Sequence, residues 1–299
     1  MGGSNIEIHN IGQVVKDLRK YYGISQKELA KGICTQAQIS KIENNSELPS
    51  SLILYRLASK LGLDMNYFFS MSDTPRLDYI NDVKRVIRDL IRKRDYREID
   101  YIIKKEKNNP LFKEGENRQF MLWHEAICSH YVYKETSIAI DSLLKALWII
   151  NNKSVRGYYS EQEIEILNSL AILKKDQEQY DEAIKLFIES LTFIKLLPQV
   201  KNELLHIRLL YGISKVLTII DKFEESKEYC KQGVLKCISH ETLYLFGELN
   251  YQYGSNCARL GQFEESKEYL DKAIQIFRIQ HNTKFVKLVE EKKQKLLNL

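Results

Sequence analysis

Residues Ser25 to Asn45 read SQKELAKGICTQAQISKIENN. This spacing predicts two short helices joined by a tight turn. Ser25 is a good N-cap, and Glu28 three residues on completes a capping box. Leu29 and Ala30 then face inward. Gly32 ends the first helix, because a residue without Cβ tolerates a left-handed turn. Thr35 caps the second helix, which opens with Gln36. Ile39 and Ile42 lie three apart on one face, which leaves Gln36, Ala37, Gln38, Ser40 and Lys41 facing out. Amides and hydroxyls both donate to and accept from base edges in the major groove, and Lys41 can reach a phosphate. The second helix thus has the chemistry of a recognition helix.

The pattern extends in both directions. Asn10 to Tyr22 is expected to be a first helix with Ile11, Val14, Val15 and Leu18 as its apolar stripe. A fourth begins at Ser50 and Ser51 and carries Leu52, Leu54, Leu57, Ala58 and Leu61. Asp64 caps a short fifth helix with Met65, Tyr67, Phe68 and Phe69. Residues 6–70 therefore form one compact domain. The run GISQKELAKGICTQAQISKIENNSELPSSLILYRLASKLGL resembles the helix-turn-helix of the phage-repressor and Cro type. That resemblance implies a five-helix DNA-binding domain with Gln26 near a phosphate and Gln36 near a base. Several phage repressors have a polar residue where this chain has Ala37, whose methyl can still read thymine. Eight Lys/Arg against six Asp/Glu leave this domain a charge of only +2. Non-specific affinity should be modest and salt-dependent, so dimerisation would help it hold a site. Glu43 is expected to cap or pair inside the domain, since phosphate repels it.

Ser70 to Pro75 reads as a break, because proline disfavours helix in the residue before it. The linker is expected over residues 71–77 and a second domain over 78–299. That second part repeats. Phe223 to Tyr229 reads FEESKEY, and so does Phe263 to Tyr269. Tyr180 to Phe187 is a third copy, with weaker ones near Thr136 and Tyr96. Aligned, the first small or apolar position is Ile99, Ala139, Ala183, Ser226 and Ser266. Four on come Ile103, Leu143, Phe187, Cys230 and Leu270, and three further Glu106, Ala146, Ser190, Gly233 and Ala273. Small, large, small at this spacing is the second helix of a tetratricopeptide repeat. The fold expected is all-α: a helix-turn-helix domain followed by an α-solenoid of about five such repeats, each with its first helix on a concave inner surface.

Counting back from each turn gives the inner positions: Lys84, Arg85 and Arg88; His124 and Glu125; Asn168; Arg208, Tyr211 and Lys215; Tyr251, Gln252 and Arg259. Amides can pair with an extended peptide backbone. Arg and Lys can hold a carboxylate, and tyrosines add apolar area with a polar tip. Each alone also reads as solvated surface. Taken together, the two halves resemble the PlcR-type peptide-pheromone-sensing regulators, the RRNPP group. This resemblance implies a quorum-sensing transcription regulator, acting as a homodimer on a double-stranded DNA operator, whose repeats bind a short signalling peptide. The alternative is a phage-type repressor or adaptor whose repeats bind a folded protein partner.

Other classes find little support. Basic residues are dense over 84–107, but Asp89, Asp95, Glu98, Asp100 and Glu106 cancel half the charge. A salt-bridged helical pair is favoured there over extra phosphate contact. The five cysteines are odd in number, irregularly spaced and without a C-x-x-C, which favours reduced thiols over a metal or disulfide site. The six histidines show no zinc-protease spacing, and no phosphate-cradling glycine loop occurs. No enzyme activity, metal or cofactor is expected. No apolar run suits a bilayer and no secretory leader opens the chain, so the expected location is the cytoplasm, with no membrane partner.

Overall fold

The computed structural model describes residues 11–72, 75–150, 159–200 and 202–297. Among them it holds sixteen α-helices and no strand, and no helix is long and apolar enough to cross a membrane. The chain divides into two compact units, Met1–Arg92 and Lys93–Leu299.

The first unit contains α1 (Ile11–Tyr21), α2 (Gln26–Ala30), α3 (Gln36–Glu43), α4 (Ser51–Leu61), α5 (Asn66–Ser72) and α6 (Pro75–Lys93). Both capping-box bonds form at Ser25: its Oγ accepts from Glu28 N at 3.2 Å, and its N–H donates to Glu28 Oε2 at 2.7 Å. Thr35 Oγ1 accepts from Gln38 N at 3.2 Å and so starts α3. Val15, Leu29, Ile39, Ile42, Leu57 and Phe68 are wholly buried and gather α1 to α5 around one core. The segment expected as linker, 71–77, spans the end of one helix and the start of the next. Helix α5 runs to Ser72 and α6 begins at Pro75, while residues 73–74 lie outside the described residues. Proline suits that first position, where its missing N–H would have had no helical partner. Helix α6 groups with the first unit, so the compact units divide after Arg92.

The second unit contains α7 (Tyr96–Glu106), α8 (Gly115–Tyr131), α9 (Thr136–Trp148), α10 (Glu161–Asp176), α11 (Tyr180–Ile194), α12 (Leu204–Ile219), α13 (Phe223–Ser239), α14 (Phe246–Arg259), α15 (Phe263–Ile279) and α16 (Thr283–Leu297). Four hairpins, α8–α9, α10–α11, α12–α13 and α14–α15, stack in order. Successive first helices also touch: α8 with α10, α10 with α12, α12 with α14 and α14 with α16. The second helices pack on one another less, so the first helices form the inner layer of the stack. The small positions Ala139, Ala183, Ser226 and Ser266 are wholly buried, as are Leu143, Phe187, Cys230 and Leu270. Glu106 departs from the small-residue rule and is still buried, its Oε2 accepting from Asn109 Nδ2 at 2.7 Å.

The two identical heptapeptides interlock. Lys227 of the first is buried and its Nζ reaches Gln262 Oε1 at 2.5 Å and Glu265 Oε2, in the second, at 3.4 Å. Tyr253 OH donates to the other oxygen of Glu265 at 2.7 Å. Salt bridges expected over 84–107 form where Arg92 pairs with Asp89 and Lys104 with Asp100, and Arg85 pairs with Asp82 just before that stretch.

A shared turn joins these hairpins and the flanking helices. Arg94, Lys134, Glu178, Asp221, Gly261 and His281 all take left-handed backbone, each two residues before the next helix. Only Gly261, at φ 76°, lacks a Cβ to be strained there, and nothing stands within 4 Å of where one would go. Gly261→Ala should therefore cost about 1 kcal/mol through the backbone alone, and Asp221→Gly should add about as much. Thermal melts of the two full-length variants should shift in opposite directions.

Candidate nucleic-acid interface and inner groove

The outward face of α3 is held by hydrogen bonds that begin in the core. Glu43 is buried at 3% exposure, and Arg19 grips it with two bonds, Nε to Oε1 at 2.6 Å and Nη2 to Oε2 at 3.0 Å. Arg19 Nη1 also donates to Ile24 O at 3.0 Å. Glu43 Oε2 accepts from Gln26 Nε2 at 2.9 Å, and Gln26 Oε1 accepts from Gln36 Nε2 at 2.8 Å. A carboxylate only accepts, so each amide in this relay has one possible orientation. Gln36 is left with its carbonyl oxygen and one N–H outward, the pair that reads adenine in the major groove. Burial pushes the Glu43 carboxyl up, but hydrogen bonds from Arg19 and Gln26 and the Arg19 charge outweigh it and hold the group below its ordinary range.

The remaining α3 candidates stay near the surface. Thr35, Ala37 and Lys41 are exposed, and Gln38 and Ser40 are half-buried. Gln38 Nε2 donates to Glu47 Oε1 at 2.8 Å, and Lys41 Nζ lies 3.8 Å from Glu47 Oε2. Lys60, absent from the sequence reading, closes the end of α2 by donating to Lys31 O at 2.9 Å and Leu29 O at 3.3 Å. Those carbonyls have no partner inside the helix.

The positions counted onto the inner face are not equivalent. Lys84, Arg85 and Arg88 stand on α6 in the first unit. His124 is turned into the core at 1% exposure, wedged against Phe120 and Trp123, with Nδ1 2.8 Å from Phe120 O. Gln252 is 9% exposed, and its Nε2 donates to Thr218 Oγ1 at 2.6 Å. Thr218 in turn bonds Asn256 and Ser226, so this amide ties α14 to α12. Arg259 is exposed, over the Phe223 ring at 5.2 Å. Glu125 is half-buried, 3.4 Å from Lys107 Nζ.

Asn168, Arg208, Tyr211, Lys215 and Tyr251 lie on adjacent first helices. Among the described residues, Asn168 Oδ1 and Arg208 Nε are buried atoms with no hydrogen-bond partner. Arg208 Nη2 reaches Glu165 Oε1 at 3.2 Å, which also accepts from Asn202 Nδ2 at 2.7 Å. Lys215 Nζ sits 5.6 Å from the centre of the Tyr211 ring. Burial, then the charge of Lys175, pushes the Lys215 amine down, and burial pushes the Tyr211 phenol up. Arg94, on the first shared turn, acts through its charge on Tyr211, Lys215 and Glu248. Burial raises the Glu248 carboxyl, and its Oε2 is another buried atom without a partner. Sequence reading places no inner-face candidate at Glu165 or Glu248, and places Arg94 only in the basic run over 84–107. An acid inside the apolar run of α10 was the available signal for Glu165.

The RNPP family C-terminal domain matches residues 84–298, and a helix-turn-helix family matches residues 15–68. Bacillus thuringiensis PlcR, solved in complex with the peptide PapR7 and DNA, is 25% identical with a TM-score of 0.76. That similarity covers 97% of this chain and 99% of that one. ComR of S. thermophilus, solved with DNA and its signalling peptide ComS, shares the fold at 16% identity and a TM-score of 0.66, over 96% of this chain and 99% of that one. A curated relative, the ImmF control region 10 kDa protein of Bacillus phage phi105, is 39% identical over 57 residues, 19% of this chain. The chain spans 63% of that protein's length.

The Arg19–Glu43 pair gives a direct test of the relay. Glu43→Gln leaves a largely buried guanidinium unpaired and should cost the first unit about 3 kcal/mol. Because the folded carboxyl titrates below its unfolded value, its stabilisation is complete above the ordinary Glu range and fades as pH falls through the folded value. Thermal melts below pH 4.5 should therefore lose stability in the wild type more steeply than in Glu43→Gln.

Proposed function

The chain belongs to the RNPP family, and we propose that it is a DNA-binding transcription regulator whose repeats take a short signalling peptide. The observation that carries this reading is the end-to-end similarity to PlcR, solved with both a peptide and DNA. Helix α3 enters the major groove, with Gln36 reading a base and Lys41 approaching a phosphate. Thr35, Ala37, Gln38 and Ser40 complete the contact face, and Gln26 supports Gln36. The regulator acts in the cytoplasm, as a homodimer on two half-sites, and is not an enzyme.

On the repeat side, Asn168 and Arg208 supply an acceptor and a donor, buried and unused. An extended peptide backbone offers the complementary N–H and carbonyl, and a buried polar atom costs about 1–3 kcal/mol until it is paired. Lys215, Arg208 and Arg94 give this face a basic character, which suits a peptide with a carboxylate at its end or on a side chain. Tyr211 and Tyr251 provide apolar area beside it. His124 and Gln252 act through packing and not through contact with the peptide.

A second reading, a phage-type repressor or adaptor with a protein partner, draws on the match to the phage phi105 protein, which spans 57 residues. Fluorescence anisotropy on a duplex selected from a random pool separates the two. A regulator of the first kind changes its duplex affinity when the small-peptide fraction of the producing culture is added, and Asn168→Ala removes that response while duplex binding persists. Gln36→Ala should weaken specific binding by about tenfold or more. Duplex affinity indifferent to the peptide fraction favours the second reading.

A further inference from the structure

Helix α3 carries a second reading glutamine whose orientation is set from outside the helix. Successive residues are roughly 100° apart around a helix. With Ile39, Ile42 and Glu43 turned inward, Gln36 and Gln38 fall on opposite flanks of the strip that exposes Ala37 and Lys41. Gln36 is held on one flank by α2 through Gln26. Gln38 is held on the other by Glu47, in the segment between α3 and α4, through a 2.8 Å bond from Nε2 to Oε1. The second oxygen of Glu47 faces Lys41 Nζ at 3.8 Å.

Glu47 is an acid beside the strip that would meet a polyanion. Its side chain keeps 36% of its exposure, so it is no core residue satisfied by burial. Two consequences follow from its chemistry. A carboxylate accepts and never donates, so Gln38 must present its NH2 to Glu47 and turn its carbonyl oxygen away. An outward acceptor matches the amino groups of adenine and cytosine in the major groove and opposes guanine O6 and thymine O4. Glu47 also offsets the charge of Lys41, which lowers the sequence-independent attraction to phosphate.

We propose that Glu47 is a specificity-positioning residue: it fixes the Gln38 amide so that α3 selects a base edge bearing an amino group, adenine or cytosine, at a position distinct from the one read by Gln36. This rests on the DNA-binding reading above. Without the carboxylate, Gln38 turns freely and presents either end, so the preference is lost although Gln38 is intact.

The test is selection of duplexes from a random pool by full-length wild type, Glu47→Gln, Glu47→Ala and Gln38→Ala, followed by affinities against salt. Glu47→Gln keeps the size of the side chain but can donate as well as accept. It should reduce the preference at one operator position by about tenfold and leave the other positions unchanged. Gln38→Ala should lose the preference at the same position. Glu47→Ala should steepen the slope of log K against log salt by about one phosphate contact, as Lys41 is released. A Glu47→Gln protein with wild-type preference at every position overturns the proposal while the DNA-binding reading stands. A wild type that selects no sequence overturns both.

Discussion

Two helices approach only as closely as the side chains between them permit. In this repeat unit the contact is set by Ala139, Ala183, Ser226 and Ser266, each wholly buried near the start of a second helix. A larger residue there would push the hairpins apart and break the stack, because cores of native density absorb little extra volume. The close approach lets large residues such as Phe187 and Leu270 fill the gaps four positions on. It also brings the first helices into one layer. Packing of that layer uses His124 and Gln252, and leaves Asn168 and Arg208 with buried polar atoms unspent. The same constraint that builds the solenoid therefore decides which inner polar atoms packing satisfies and which it leaves unpaired.

The first unit follows a different logic. Its apolar core orients α3, but the chemistry of the exposed strip is set by two acids. Glu43 acts from within through Gln26, and Glu47 from the segment after the helix. Each is an acceptor with no donor, and that asymmetry gives direction to amides that would otherwise present either end. Lys60 at the end of α2 and Arg19 beneath Glu43 hold the two helices at the turn. The charge over residues 6–70 is only +2, so the proposed recognition draws on oriented polar groups more than on a basic surface.

Much of the architecture was legible from local patterns. The capping box at Ser25, the cap at Thr35 and the repeated FEESKEY segments each report a short-range physical requirement, and each does so in the structure. The hairpin turns were harder to read. Their left-handed residues are Arg94, Lys134, Glu178, Asp221 and His281, so the glycine that would announce such a turn appears only at Gly261. The break read at Pro75 does separate α5 from α6, and the same proline suits the first turn of the helix that follows. For the inner groove, helical counting put the candidates on α6 and on first helices of the repeats without telling their surroundings apart. Helical counting places His124 and Asn168 alike on first helices, and only three-dimensional packing distinguishes an imidazole wedged between Phe120 and Trp123 from an amide left unpaired. For Glu165 the sequence offers only an acid inside an apolar run and for Glu248 nothing, because what sets them apart is which partners burial gives or denies them.

A regulator of this kind requires that the peptide in the repeats and the duplex on α3 bias one equilibrium. Binding free energies at two coupled sites are reciprocal. The decisive measurement is a calorimetric titration of the full-length protein with the peptide purified from the producing culture, once alone and once saturated with its selected duplex. Coupling predicts that the duplex changes peptide affinity by the same factor as the peptide changes duplex affinity, on the order of 5–150-fold. Equal peptide affinities in the two titrations would contradict it.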